Sequence, residues 1–291
     1  MNTHVRQSRS LVCVAAWKNA PERGVVGRPG SASAFDLTRW APSPEAGRFV
    51  EHYWSVRWDR REAGPHESTV ITFPAVHLTR EWGDDIARHG HPLPNTLLHG
   101  VVTQVFRTTI SSRGVVVGAR FHPGGFTARF GRDAGELTDR VVPVDDDLFG
   151  GPIDLGCDVS VVRSGFDAVI GDYSGDPDPV YARLMPLLER MREDPTLHRV
   201  EQVMEHSPWS VRTTQRVFRR YVGVPVKWVL CRYRLQQAAL EIESTGSVDF
   251  ADLAVRLGWY DQAHFINDFR GMLGCTPGEY AMRFGQKGGG S

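Results

Sequence analysis

Apolar positions along this chain follow two different periods. Between residue 48 and about residue 131, short runs rich in Val, Thr, Phe and Trp (50–58, 69–73, 101–110 and 114–121) alternate with Pro, Gly, Asn and His breaks. That spacing predicts an antiparallel sheet or small barrel. Residues 133–148 read as a short helix with an acidic loop, and 158–170 as another helix. From Val180 the period is helical, with Leu184, Leu187, Leu188 and Met191 on one stripe, a helix that either opens the C-terminal domain or serves in dimerisation. Further helices are expected over 200–206, 210–221, 226–243, 250–257, 262–273 and 277–282. The acidic, Pro/Gly-rich stretch 171–179 separates the two regimes as a linker.

The most specific pattern lies near the C-terminus. Gly258 can close one helix and Asp261 can cap the next, while Phe265, Ile266, Phe269 and Leu273 form an inward stripe. Ala263, His264, Asn267 and Arg270 then face outward. Gly274 ends that helix, and Thr276-Pro277-Gly278-Glu279 is a capping box that starts another. Helix, tight turn, helix is a helix-turn-helix arrangement. The pattern recurs 51 residues earlier: Phe218 matches Phe269, Arg219 matches Arg270, Gly223 matches Gly274, and Trp209 matches Tyr260. In this first copy Arg212, Gln215, Arg216 and Arg219 share one helical face. Arginine pairs with guanine and glutamine with adenine in the major groove, so the residue types suit base reading. The connecting helix of about 18 residues would span roughly 27 Å, close to the ~34 Å between successive major grooves on one side of DNA.

Residues 197–284 resemble the DNA-binding domain of AraC/XylS-type transcription regulators. The second unit of that family reads glycine-aromatic-x-aspartate-glutamine-x-histidine-phenylalanine, then x-x-aspartate-phenylalanine-arginine and glycine-x-threonine-proline, and 258–277 carries nearly all of it. The resemblance implies base reading by Arg212, Gln215 and Arg216 in the first unit and by Gln262, Ala263, His264 and Asn267 in the second. Three positions depart from the family. Thr214 stands where a core leucine is usual and Val226 where a proline is frequent, so looser packing is expected in the first unit; Asn267 stands where many relatives have arginine, so weaker base readout is expected there. Residues 118–126 and 136–143 resemble a barrel-like regulatory domain found ahead of this module in actinobacterial-type regulators.

A formal net charge of zero conceals an asymmetry. Residues 196–240 hold eight basic and two acidic side chains, a net of +6, whereas 241–291 hold four basic and seven acidic, a net of −3. The first unit is therefore expected to bind phosphate more strongly. Cys13, Cys157, Cys231 and Cys275 lie far apart, in no metal-ligand or disulfide spacing, which suits a cytoplasmic protein. No stretch approaches the ~18 apolar residues of a membrane span.

The fold expected is α+β, a β-rich barrel-like N-terminal domain plus an all-α domain with two helix-turn-helix units. Its parts are an arm (1–34), an effector or dimerisation domain (35–170), the linker (171–179), the DNA-binding domain (180–285) and a tail (286–291). Trp40, Tyr53, Trp54, Trp58 and Trp82 offer much apolar surface, read first as core; Trp54, Trp58, Phe73 and Phe121 are the expected lining of an effector pocket. The pair His89 and His91 suggests a metal, but no carboxylate and further histidine stand at cupin spacing, so neither metal, cofactor nor catalytic residue is expected. The function expected is a sequence-specific, effector-responsive DNA-binding transcription regulator reading two adjacent major grooves, with activation and repression both open, whose partners are double-stranded DNA, RNA polymerase, a small molecule and a second copy of the chain, with no membrane. The alternatives are a metal-dependent cupin-type enzyme fused to a DNA anchor, and an N-terminal domain serving only protein interaction.

Overall fold

The computed structural model describes residues 25–26, 34–70, 72–151, 153, 155–245 and 248–284. Its strands are β1 (Val25–Val26), β2 (Asp36–Trp40), β3 (Val50–Asp59), β4 (His66–Val70), β5 (His77–Gly83), β6 (Ala87–Arg88), β7 (His91–Pro92), β8 (Asn95–His99), β9 (Phe106–Ile110), β10 (Arg113–Phe121) and β11 (Val141–Pro143). They form an antiparallel six-stranded sheet, β11-β8-β5-β10-β3-β2, a three-stranded sheet, β1-β4-β9, and the hairpin β6-β7. Helices α1 (Gly125–Phe130) and α2 (Val159–Gly171) complete the N-terminal domain. The C-terminal domain is all helical: α3 (Pro179–Glu193), α4 (Val200–Glu205), α5 (Val211–Val217), α6 (Val226–Thr245), α7 (Phe250–Arg256), α8 (Gln262–Leu273) and α9 (Pro277–Phe284). The fold is thus α+β, with a barrel-like β domain followed by two helix-turn-helix units, α4-α5 and α7-α8.

Several local expectations shift. The tail 286–291 and most of the arm lie outside the described residues, yet Val25 and Val26 pair with Val70 and Thr69, so the arm supplies a short strand. The strand expected over 69–73 lies earlier, at β4, and that expected over 101–110 is confined to β9. In 133–148 two 3₁₀ turns flank β11 where one helix was expected. The helix expected over 210–221 ends as α5, and Phe218–Val222 forms a π turn closed by Gly223 at φ +89°.

Alternation along β10 gives the sheet two distinct faces. Val117, Ala119 and Phe121 enter a core with Tyr53, Leu78, Phe126 and Phe166, under α1 and α2. Gly114, Val116, Gly118 and Arg120 look the other way. Gly114 lies opposite Trp58 on β3, and Gly118 opposite Trp54. A Cβ on Gly118 would lie 2.4 Å from the Trp54 ring, and one on Gly114 2.2 Å from that of Trp58. Both glycines therefore let an indole lie flat across the strand.

The helical domain has two cores joined by one rod. Leu184, Leu187, Leu188 and Met191 of α3 pack with Val217, Phe218 and Tyr221 of the first unit, which seats the α3 stripe in this domain's own core. Val229 and Leu230 of α6 join that cluster, whereas Leu235, Ala238, Ala239 and Ile242 join Leu253, Phe265 and Phe269 of the second unit. Substituting Gly118 by alanine is expected to lower stability by about 1–3 kcal/mol through overpacking, read by urea unfolding. Unchanged stability would mean that Trp54 swings away freely.

Candidate nucleic-acid interface and N-terminal cavity

Each reader helix begins at a side-chain cap and turns one face outward. Ser210 caps α5 by accepting from the Thr213 amide, and Asp261 caps α8 by accepting from that of His264 at 2.7 Å. Along α5 and its π turn Arg212, Gln215, Arg216 and Arg219 are exposed, and no ion pair engages these arginines among the described residues. Along α8 Gln262, Ala263, His264, Asn267 and Arg270 are exposed, over a buried Phe265, Phe269 and Leu273. The structure thus gathers every residue expected to read DNA onto two outward helical faces. The His264 side chain is 56% exposed. Its ring Nε2 lies 3.4 Å from Asp268, which also accepts from Trp259 Nε1 at 2.8 Å.

Thr214 corrects the expectation of loose packing. It is fully buried, and its hydroxyl bonds Ser207 Oγ at 2.7 Å and donates to the Ser210 carbonyl at 3.0 Å. A polar core position whose hydrogen bonds are made costs little. The charge asymmetry also narrows. Of the eight cations in the first segment, Arg232 is buried and Arg234 donates to the His198 carbonyl while its guanidinium lies over Trp259, leaving six exposed. In the second segment Asp249 and Asp261 are helix caps, Glu279 accepts from the Thr276 amide, and Glu241 pairs with Arg256.

The N-terminal domain grips the first unit at the end of its reader. The last carbonyls of a helix lack intrahelical partners. Here Thr127 donates to the Arg220 carbonyl at 3.1 Å and Thr138 to that of Gly223 at 2.6 Å. Arg232 of α6 crosses the same boundary: its Nε donates to the Thr72 carbonyl, its Nη2 to Thr72 Oγ1 at 2.7 Å, and its Nη1 to the Met272 carbonyl at 3.4 Å. Burial lowers its pKa to about 10.

Behind Thr72 lies a cavity of about 230 Å³ on the open face of the large sheet. Trp54, Trp58 and Phe73 line it, with Phe106 and Ile110 of β9 contributing to its wall. Phe121 does not. Its odd position on β10 places it in the opposite core, beside Phe126 and Phe130. Tyr53, Trp40 and Trp82 also belong to that core. Sequence reasoning missed the polar lining. At one end Arg120 stacks over Phe73 and pairs with Glu51 at 2.9 Å, near His52 and His77; at the other stand Thr79, Glu81, Arg88, His89 and His99. The period-2 spacing of His77, Thr79 and Glu81 was the available signal.

Burial pushes His52 and His89 down to about 4, and His77 well below the usual imidazole range. These rings are neutral in the folded chain at pH 7. Below pH 6.5 the unfolded chain binds protons there that the folded chain does not, so stability must fall as pH drops from 6.5 towards 4. Each histidine contributes a slope of at most ~1.4 kcal/mol per pH unit. Urea midpoints are expected to be lower at pH 5 than at pH 7; equal midpoints would mean that these rings are charged in the folded state.

Comparison with known proteins bears on both domains. A helix-turn-helix domain family matches residues 205–283, and a domain of unknown function, DUF6597, matches residues 38–143. The HTH-type transcriptional activator AarP of Providencia stuartii is 30% identical over 83 residues, which are 28% of this chain and 61% of that protein. The HTH-type transcriptional activator RhaR of Mannheimia succiniciproducens is 32% identical over 78 residues, 27% of this chain and 28% of that protein. The chain thus matches less than two thirds of the length of either relative. The structure of ToxT from Vibrio cholerae aligns with 87% of this chain and 100% of its own at 10% identity and a TM-score of 0.39. Among the described residues no helix is long and apolar enough to cross a membrane. The matched domain covers both readers, so residues 205–283 are similar to the helix-turn-helix domain of HTH-type transcriptional activators, in keeping with the AraC/XylS-type resemblance of that segment.

Proposed function

We propose that this chain is a sequence-specific, effector-responsive transcription regulator that reads two successive major grooves. The observation that carries the reading is the mounting of two exposed reader helices on α6, whose two halves are packed into separate cores. A helix of 20 residues is about 30 Å long, close to the ~34 Å between grooves on one side of the duplex. In this reading Arg212, Gln215 and Arg216 supply the stronger base contacts, Arg219 and Arg270 support them at the phosphates, and Gln262, Ala263, His264 and Asn267 read the second groove.

The cavity supplies the effector site. Thr72 lines it and also accepts two hydrogen bonds from Arg232, so a ligand that moves Thr72 changes how α6 is held. The ligand's differential affinity for the two arrangements sets how far DNA binding shifts. A cytoplasmic location, activation through RNA polymerase and action as a homodimer belong to the same proposal, and the chain is assigned no catalysis.

Selection of duplexes from a random-sequence pool, followed by fluorescence anisotropy on the winners, tests the reading. Arg212→Ala and Arg216→Ala are each expected to lose about 1–3 kcal/mol of discrimination between selected and scrambled duplexes, with thermal melts unchanged. Full discrimination in both variants would refute the assignment. On the same duplex Arg216→Ala is expected to weaken binding more than Asn267→Ala, because the exposed cations surround the first reader. A larger loss at Asn267 would make the second unit the principal anchor.

A further inference from the structure

We infer that Glu81, His89 and His99 form a binding site for a divalent first-row transition metal of the zinc class, at the polar end of the N-terminal cavity. The three side chains come from β5, from the turn between β6 and β7, and from the end of β8, and each lines the cavity. Their ligand atoms all lie within 4.8 Å of one another. Glu81 Oε1 is 3.4 Å from His99 Nε2 and 3.8 Å from His89 Nε2. Zinc bound tetrahedrally at ~2.0–2.1 Å sets its ligand atoms about 3.3 Å apart, so Glu81 and His99 already stand near that spacing and His89 must close in.

A second observation points to a cation. Glu81 is 1% exposed, and its Oε2 is buried with no hydrogen-bond partner. Arg88, the nearest cation, holds its Nε 3.9 Å away, beyond hydrogen-bond distance, and is engaged by Asp85 at 3.1 Å. A buried carboxylate oxygen left in this way is costly, and a cation would satisfy it. Two imidazoles and one carboxylate suit zinc or iron(II) better than calcium or magnesium.

The protein side of the exchange is explicit. Without metal, Thr79 Oγ1 donates to Glu81 at 3.0 Å and lies 3.0 Å from His99 Nε2. Binding requires His99 Nε2 to give up its proton, or to carry it on Nδ1, and to turn from Thr79 to the metal. With three protein ligands the fourth position opens onto the aromatic cavity, where water or an anionic group of a cavity ligand can complete the shell. The site is confined to the N-terminal domain and does not depend on DNA binding.

Metal-stripped full-length protein titrated with Co²⁺, followed by its visible absorption, and then displaced with Zn²⁺ tests the site. One equivalent is expected, and the melting temperature is expected to rise with added Zn²⁺. His89→Ala, in the turn between β6 and β7, and His99→Gln should each weaken binding about tenfold or more, while His91→Ala and Cys157→Ser should leave it unchanged. Circular dichroism identifies folded variants, and His89→Ala alone decides the outcome if His99→Gln does not fold. No stoichiometric binding at micromolar metal, or unaltered affinity in folded His89→Ala, would overturn the site.

Discussion

One buried cation ties this molecule together. Arg232 is 1% exposed, stands on α6 at the junction of the two helical cores, and has no carboxylate partner among the described residues. Taking a guanidinium out of water is expensive, and its hydrogen bonds are what offset that cost. They reach Thr72 in the N-terminal domain and the Met272 carbonyl near the end of the second reader. The charge is therefore tolerated only while the β domain, the connecting helix and the second unit keep their relative positions. Thr127 and Thr138 complete the seam by satisfying carbonyls that end the first reader. Both readers are thus referenced to the same β domain.

The cavity shares that boundary, and its shape follows from strand register. Two glycines on β10 make room for two tryptophans of β3, and the residues between them set which side chains face inward. The interior is then mixed in character: indole and phenyl walls, the neutral imidazoles of His52, His77 and His89, and the buried Glu81 carboxylate. A space of this kind can recognise both an apolar body and a polar head. Thr72 stands in its wall and in the seam at once, which gives the effector reading a physical route.

Much of the helical domain was legible because its signals are local. Gly258, Asp261, Gly274 and the Thr276–Glu279 box act within one or two turns, and the repeat at 51 residues doubled their weight. What escaped depended on partners distant in sequence. Phe121 and Trp54 look equivalent as aromatic strand residues, and only the pairing of Gly118 with Trp54 places them on opposite faces. Likewise Glu81 and His99, the partners of His89, come from two other strands, while the sequence drew attention to adjacent His91. Arg232 and Arg234 were counted as free cations because nothing in their neighbourhood reveals that α6 turns them into the protein. Thr214 was judged loose for want of its partner Ser207, seven residues away.

In the proposed reading a single rigid helix, α6, presents two readers to successive major grooves. Hydroxyl-radical footprinting of the full-length protein on a selected duplex measures this directly. Two protected patches are expected on one side of the DNA, with centres about 10–11 base pairs apart. A single patch one groove wide, or two patches at a spacing that places them on opposite sides of the duplex, would contradict it.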